Sequence, residues 1–309
     1  MKGDLYMNNS NMMCDLKTGV CGPGDEEQME MIDFNLQSPK ITLYYATDPI
    51  CSHCWALEPV LNRFILQYGQ YFNVKTIMGG LLSSWQGFAD VSNGIQQPSD
   101  VAEHWREVGL HSRMPIDGSL WKNNPILSSY PPSRVYKVIQ NIYPGKENEF
   151  LRQAREAVFA FNQNIGEEQT LVDIVNNIGL NGEKIVADAA LGSAQDLLEQ
   201  DFELAGRLGV RGFPTIIMVN EENKGVKIVG ARSLEAYVDG LQQVYNGDVK
   251  AENVPLLSEL IKEGNILFSK EIEVLYDIES SDMESFIATE MIEGSYSIKR
   301  VLGESYVVS

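Results

Sequence analysis

Residues 41–66, ITLYYATDPICSHCWALEPVLNRFIL, determine how this chain is expected to fold. The β-branched and aromatic run Ile41–Ala46 is typical of a buried strand, and apolar residues at helical spacing follow from Trp55 onward. Cys51 and Cys54 therefore lie where a strand ends and a helix begins. Free backbone N–H groups stabilise an anion there, and C-x-x-C placement lowers a thiol pKa from about 8.5 to roughly 3.5–7.5. The pattern indicates a redox-active thiol pair.

A second segment, GVRGFPT at residues 209–215, distinguishes a redox pair from half of a zinc site. A zinc site needs a second pair of ligands. Cys14, Cys21 and the three histidines form no second tight pair in the sequence, so we expect no metal. The segment resembles the G-I-R-G-I-P-T segment of thioredoxins, whose proline is cis and lies against the active-site cysteines. The resemblance implies a cis bond between Phe213 and Pro214.

The number of residues between Cys54 and Phe213 narrows the choice among families with a thioredoxin fold. Helical periodicity predicts helices near 99–109, 131–142, 147–162, 168–178, 183–191 and 194–207. A thioredoxin fold with a helical domain inserted after its first β-α-β unit resembles the DsbA family, here over about residues 40–247. Within that family the chain looks most like the cytosolic branch described as predicted dithiol-disulfide isomerases, which also contains protease adapters of the SpxH type.

The expected fold class is α/β, a thioredoxin fold with an inserted α-helical domain and a small C-terminal α+β module that resembles a winged helix. Residues 1–38 are expected to form a polar N-terminal arm. The thioredoxin-like domain is expected at 39–80 and 208–247, and the inserted helical domain at 81–207. The C-terminal module, residues 248–309, is predicted to contain three short helices and a β-hairpin.

The acidic composition excludes two classes of partner. A formal net charge of −19 would repel nucleic acid and anionic membranes. The C-terminal module is acidic as well, with 12 acidic and 4 basic residues in 251–309, whereas a DNA-reading wing would be basic. Its role in packing, dimerisation or partner docking stays open. Because there is no signal pattern and no run of ~20 apolar residues, we expect a cytoplasmic protein whose thiol pair rests reduced.

The chemistry of thiols predicts a role for each residue of the motif. Cys51, nearer the solvent at the helix start, is expected to ionise and attack, and Cys54 to resolve the mixed disulfide. His53 lies between them, and a partly charged imidazole there would favour the thiolate and make the disulfide more oxidising. The DsbA family has a Pro-His pair at this point. Ser52 stands here in place of the proline, so the sequence leaves the redox potential open.

Five further residues are candidates for substrate or redox contacts. Pro214 cannot donate a hydrogen bond, so the backbone before it is free to pair with an extended substrate, and Phe213 would add an apolar contact. Trp55 is a candidate for a substrate groove, although tryptophans at such spacing also form cores. Cys14 and Cys21 form a C-x6-C pair, which is an auxiliary redox couple that exchanges with Cys51, a transient metal site or two unpaired thiols.

Three functions fit the motifs. The first is a thiol-disulfide oxidoreductase or isomerase that acts on protein dithiols or disulfides without a cofactor and is reset by a redox-recycling partner. The second, implied by the SpxH-type relatives, is an adapter that binds a client regulator and presents it to a AAA+ protease. The third is a glutathione-dependent small-molecule isomerase, which the intact C-x-x-C disfavours. The sequence does not determine the oligomeric state.

Overall fold

The chain divides into two units, residues 1–38 and 39–309, each of which is described by itself. The computed structural model describes residues 14–15, 20–21, 41–261 and 265–309. In the first unit, strands β1 (Cys14–Asp15) and β2 (Val20–Cys21) pair antiparallel, and the backbone of Cys14 lies opposite that of Cys21.

A four-stranded sheet organises the second unit. Its strands are β3 (Ile41–Thr47), β4 (Phe72–Met78), β5 (Thr215–Asn220) and β6 (Gly225–Val229), in the order β4-β3-β5-β6. β3 and β4 are parallel, which requires a crossover, and helix α1 (Ser52–Tyr68) supplies it. β5 and β6 add as an antiparallel hairpin. This is the thioredoxin arrangement that the sequence predicts.

The chain leaves the sheet after β4 and returns to it at β5, and the connection is largely helical. Its helices are α2 (Pro98–Ser112), α3 (Leu120–Asn123), α4 (Tyr130–Ile142), α5 (Lys146–Arg155), α6 (Glu168–Asn177), α7 (Gly182–Ala189) and α8 (Gly192–Arg207). All but the four-residue α3 lie where periodicity predicts a helix. A π-helical turn, Glu156–Ala160, continues α5. Among the described residues, no helix is long and apolar enough to cross a membrane.

The C-terminal module is a small α+β unit. Its elements in chain order are α10 (Leu257–Leu260), β7 (Ile266–Phe268), α11 (Ser269–Tyr276), α12 (Met283–Glu290), β8 (Ser297–Val301) and β9 (Glu304–Val308), preceded by α9 (Leu234–Val244), the last helix of the thioredoxin fold. The three strands form a sheet in the order β7-β9-β8. The sequence predicts the hairpin but not β7, because three residues show no alternation and this strand exists only through its pairing with β9.

Three buried apolar clusters hold the second unit together. One lies under the four-stranded sheet and includes Leu43, Phe64 and Tyr237. A second fills the C-terminal module. The largest occupies the helical insertion, and it takes in Trp55 from α1 and Phe268 from the C-terminal module. The C-terminal module therefore shares a hydrophobic core with the inserted helices.

Gly118 offers a test of this packing. A Cβ at Gly118 would lie 2.2 Å from the carbonyl oxygen of Ala102, so the backbone must move to accept one. We expect Gly118→Ala to lower the free energy of unfolding by about 1–3 kcal/mol. A Cβ at Gly206 in α8 would meet no other atom within 4 Å. Gly206→Ala should therefore raise the free energy of unfolding by roughly 0.5–1 kcal/mol. Urea denaturation measures both, and equal effects would contradict the close approach.

Candidate functional site

The two cysteines lie at the start of α1, as the sequence predicts. Cys51 is the N-cap of the helix, and its Sγ accepts a hydrogen bond from the backbone N of Cys54 at 3.4 Å. Cys51 is 7% exposed and Cys54 is 0% exposed, and both thiols are free. Of the two, Cys51 is therefore the one that keeps exposed surface, and it lines the neighbouring cleft.

The electrostatics of the pair differ from the sequence-based expectation. A hydrogen bond to the Cys54 sulfur and then burial raise the pKa of Cys51. Burial opposes ionisation of Cys54, but the hydrogen bond from Cys51, the charge of Arg155 and the hydroxyl of Thr47 outweigh it and lower its pKa. Of the two thiols, Cys54 is therefore the easier to ionise and Cys51 the harder. The prediction that Cys51 is the ionised member is wrong, because the cation that stabilises the charge lies beside Cys54.

That cation, Arg155, is the main site residue that the sequence does not reveal. It comes from the end of α5 and is only 2% exposed. Its Nη1 donates to Glu58 Oε1 at 2.7 Å, and its Nη2 donates to Thr47 Oγ1 and to the carbonyl oxygen of Asp48. Burial works against the charge of Arg155, but neighbouring groups, among them Tyr45 and Glu58, raise its pKa and keep it cationic.

Asp48, one residue beyond β3, is a second buried charge beside the pair. Its carboxylate accepts hydrogen bonds from Ile50 N at 3.1 Å, Leu81 N at 2.8 Å and Ser129 Oγ at 2.9 Å. Burial raises the pKa of Asp48 to about 6 in spite of these bonds. Its negative charge also contributes to the raised pKa of Cys51. Asp48 thus fixes the loop before the cysteines and disfavours a thiolate at Cys51.

The three histidines of the chain converge next to the motif. The rings of His53 and His104 lie with their centroids 5.3 Å apart, and both line one hollow of about 510 Å³ together with His111. Burial, followed by the charges of His104 and His111, lowers the pKa of His53, so its ring is predominantly neutral at pH 7. A neutral imidazole lacks the charge on which the predicted tuning role depends. Among the described residues, no cluster of three or more His, Cys, Asp or Glu side chains is arranged to hold a metal ion.

A cleft of about 440 Å³ opens beside the Cys51 sulfur. It is lined by Cys51, His53, Trp85, Phe88, Arg211 and Phe213, among others. The peptide bond between Phe213 and Pro214 is cis, as the resemblance implied. The ring of Phe213 lies directly over Gly79, where a Cβ would fall within 2.0 Å of it. The loop after β4 therefore supports a side chain that lines the cleft together with Cys51.

Trp55 does not line this cleft. It is 0% exposed, and its Nε1 donates to the carbonyl oxygen of Pro115 at 3.0 Å. Its ring stacks on Phe159 and meets Phe268 edge-on. A side chain without exposed surface has nothing to offer a substrate, so the predicted substrate contact of Trp55 is wrong. Its helical spacing from the core residues of α1 is the sequence signal that favours the packing role.

For Cys14 and Cys21 the structure describes only the backbone, which places them opposite each other in the ladder of β1 and β2. Their predicted role as an auxiliary redox pair stays a prediction, and their side chains lie outside what the structure describes.

The site residues that the sequence did not predict are Thr47, Asp48, Glu58 and Arg155. Asp48 and Glu58 had a local signal, since they flank the motif, whereas Arg155 had none.

Comparison with known proteins identifies the class. A family model described as Thioredoxin matches residues 44–239, and the chain belongs to this family. Its fold is DsbA-like. A structure from Nitrosomonas europaea, assigned to the protein disulfide isomerases, is similar with a TM-score of 0.56 and 20% identity over 66% of this chain and 97% of the other. The cytosolic disulfide reductase DsbM from Pseudomonas aeruginosa, solved with GSH, is similar with a TM-score of 0.50 and 17% identity over 66% and 100%.

The curated relatives are more specific. ClpXP adapter protein SpxH from Halalkalibacterium halodurans is 28% identical over 276 residues, which is 88% of each chain. SpxH from Bacillus subtilis is 28% identical over 248 residues, which covers 79% of this chain and 81% of the relative. The chain therefore belongs to an SpxH-like branch of the DsbA-like proteins, as the resemblance implied. The relatives favour the adapter alternative over the enzyme as the leading hypothesis.

Asp48 predicts a specific dependence of stability on pH. Its ordinary pKa is 3.8 and its folded pKa is about 6, so the folded state binds the proton more tightly than the unfolded state. Stability from this group falls as pH rises through that window, by about 3 kcal/mol in total. Asp48→Asn removes the titration. Urea denaturation across the window should give a flatter dependence on pH for the variant than for the parent.

Asp100 supplies a control of opposite sign. Hydrogen bonds from Gln96 and Gln97 lower the pKa of this exposed carboxylate, so its contribution is present at neutral pH and is lost as pH falls. Asp100→Asn should remove a rise of stability with pH, where Asp48→Asn removes a fall. If both variants changed the slope in the same direction, the environment described for Asp48 would be wrong.

Proposed function

We propose that this chain is a protease adapter that binds a client regulator and delivers it to ClpXP. The observation that carries this proposal is the extent of the match to the SpxH relatives, which spans 88% of the chain and so reaches well beyond the thioredoxin-like residues 44–239. An adapter needs surfaces for two proteins, and the C-terminal module adds a surface that thiol chemistry does not require. The cytoplasmic location predicted from the sequence is part of this proposal.

The oxidoreductase structures account for a smaller part of the chain. They cover about two thirds of it, although nearly all of their own length is matched. One third of this chain therefore has no counterpart in a protein built only for thiol exchange. Because a fold hosts many functions, the parts added to it carry more information about the role than the shared sheet does.

A proteolytically inactive ClpP trap tests the adapter role. The trap is expressed in a strain that carries the gene for this chain and in the same strain with that gene deleted. The captured proteins of the two strains are compared by mass spectrometry. We expect at least one client to be captured only when the chain is present, and purified ClpXP to degrade that client faster when the chain is added. Identical captured sets in the two strains would contradict the proposal.

A second function, thiol-disulfide exchange, is supported by the geometry of the pair. Cys51 is reachable from the cleft, and the described residues place Arg155 and Thr47 where they stabilise a charge on Cys54. We expect Phe213 and Pro214 to contact an extended client segment across the cleft. The same pair would serve an adapter as a redox sensor, and a separate protein would then reset it.

The exchange proceeds in two steps. The proton that Cys51 holds passes along its hydrogen bond to Cys54, and the Cys51 thiolate attacks a client disulfide. This forms a Cys51–client disulfide and expels one client thiolate, which takes up a proton. Cys54 then loses its proton and attacks Cys51, which forms the Cys51–Cys54 disulfide and releases the second client thiol. Two electrons pass from the pair to the client, and the reverse sequence oxidises a client dithiol.

Matched cysteine variants separate the two functions. Cys54→Ser should attack a peptide that carries a disulfide, expel one peptide thiol and accumulate a mixed disulfide through Cys51, because the resolving thiol is gone. Cys51→Ser should form almost none. Non-reducing electrophoresis detects the adduct, and insulin reduction measures turnover in the parent. An adapter without enzymatic turnover would fail to reduce insulin and would still support degradation of the client in both variants. Equal adduct formation by the two variants would contradict the assignment of Cys51 as the reactive thiol.

A further inference from the structure

A continuous set of ion pairs leads from the C-terminal module to Arg155, beside the thiol pair. Its members are largely buried, except that the side chain of Arg152 is 21% exposed. Glu271 of α11 is 1% exposed, and its Oε2 accepts a hydrogen bond from Arg152 Nη2 at 2.8 Å. Arg152 also donates through Nη1 to Glu58 Oε2 at 2.7 Å. The other oxygen of Glu58 accepts from Arg155 Nη1 at 2.7 Å. Arg155 is in turn the cation that favours a charge on Cys54.

Two aromatic rings pack against Arg152, in the middle of this set of charges. The guanidinium carbon of Arg152 lies 4.9 Å from the ring centroid of Trp55 and 5.7 Å from that of Phe268. The two rings meet edge-on at 5.6 Å, so the residue after Cys54 contacts the strand that precedes α11. The backbone N of Phe268 also donates to Glu271 Oε2 at 3.0 Å. The carboxylates of Glu58 and Glu271, whose side chains are 8% and 1% exposed, interact with their partners more strongly than surface charges do.

We propose that the C-terminal module reads the redox state of the Cys51–Cys54 pair through the Arg152–Glu271 ion pair. The inference rests on the proposed thiol exchange. A thiolate at Cys54 and the carboxylate of Glu271 are negative charges at opposite ends of one network, and both are stabilised by its two arginines. Each of the two negative charges therefore weakens the stabilisation that the arginines give to the other. A disulfide carries no charge, so the oxidised pair leaves the arginines more available to Glu271.

This competition gives the coupling a direction. Oxidation of the pair strengthens the docking of α11, and reduction weakens it. Because linkage is reciprocal, a docked Glu271 disfavours the thiolate and so favours the disulfide over the dithiol by the same factor. The surface of an adapter that meets its partner would thus respond to the thiol pair without any contact between partner and sulfur.

Two variants that break the same ion pair should move the thiol equilibrium in opposite directions. The reaction is that of the reduced pair with one glutathione disulfide, giving the Cys51–Cys54 disulfide and two glutathione thiols. Glu271→Gln removes a negative charge and should favour the dithiol by roughly three- to tenfold, whereas Arg152→Gln removes a positive charge and should favour the disulfide by a similar factor. A tenfold change corresponds to about 30 mV. Mere loosening of the module would shift both variants in the same direction.

Glu273 provides the matched control. It lies on α11 too, is 6% exposed, and pairs with Arg113 at 2.7 and 2.9 Å instead of with Arg152. Glu273→Gln weakens the docking of the same helix with the same change of charge, but it lies outside the set of ion pairs that reaches Cys54. We expect its glutathione equilibrium to match that of the parent. A shift as large as that of Glu271→Gln would overturn the proposal.

Amide hydrogen exchange measures the reciprocal effect on the full chain. Amides of α11 should exchange several-fold more slowly in the oxidised than in the reduced parent, and this difference should persist in Glu273→Gln and vanish in Glu271→Gln. A difference that persists in Glu271→Gln would overturn the proposal, as would equal exchange in the two states of the parent.

The tests separate this inference from the proposed function. If the parent pair fails to exchange with glutathione, the proposed thiol exchange is wrong. Thiolate absorbance still reports the coupling in that case. Glu271→Gln should lower the pKa at which the pair first ionises, and Glu273→Gln should leave that pKa unchanged. If Arg152→Gln does not fold, the comparison of the two glutamate variants decides the question alone. Unchanged thiolate titration in Glu271→Gln would overturn the inference whatever the outcome with glutathione.

Discussion

The architecture around the thiol pair depends on one buried cation, Arg155. Removing a guanidinium from water costs several kcal/mol, and the cost is offset only where a counter-ion and hydrogen-bond acceptors surround it. Here Glu58 is the counter-ion, while Thr47 and the Asp48 carbonyl are acceptors. These partners come from the end of β3 and the first turns of α1, and Arg155 comes from the inserted helices. One ion pair therefore fixes the insertion against the sheet at the point where the cysteines lie.

This cation also decides how the two sulfurs divide their roles. The helix N-terminus favours a charge on Cys51, but Arg155 and Thr47 favour it on Cys54, where the charge is withheld from solvent. The accessible thiol is then the one that is harder to ionise. A pair whose charge is favoured on the buried member exchanges more slowly than one with an exposed thiolate.

The fold of this chain and the names of its curated relatives point to different functions. The sheet, the C-x-x-C and the cis proline are those of oxidoreductases, yet the curated relatives that match most of the chain are named adapters. Function on a shared fold lies in the sites added to it. Here the addition is the C-terminal module, which is joined to the core of the helical insertion through Phe268 and to the charge network through Glu271.

What the sequence determined by itself is the local pattern and whatever follows from it. A strand, a C-x-x-C at a helix start and a proline before the next strand are short-range signals, and they correctly predicted the thioredoxin fold, its helical insertion and the placement of Cys51. The three-dimensional fold alone decided that Arg155 stands beside Cys54, that the ring of Trp55 is enclosed, and that His53 is neutral. Each of these depends on groups that are far away in the chain, such as Pro115 and Phe268 for Trp55. The energy of a charge depends on every neighbour that burial brings near it.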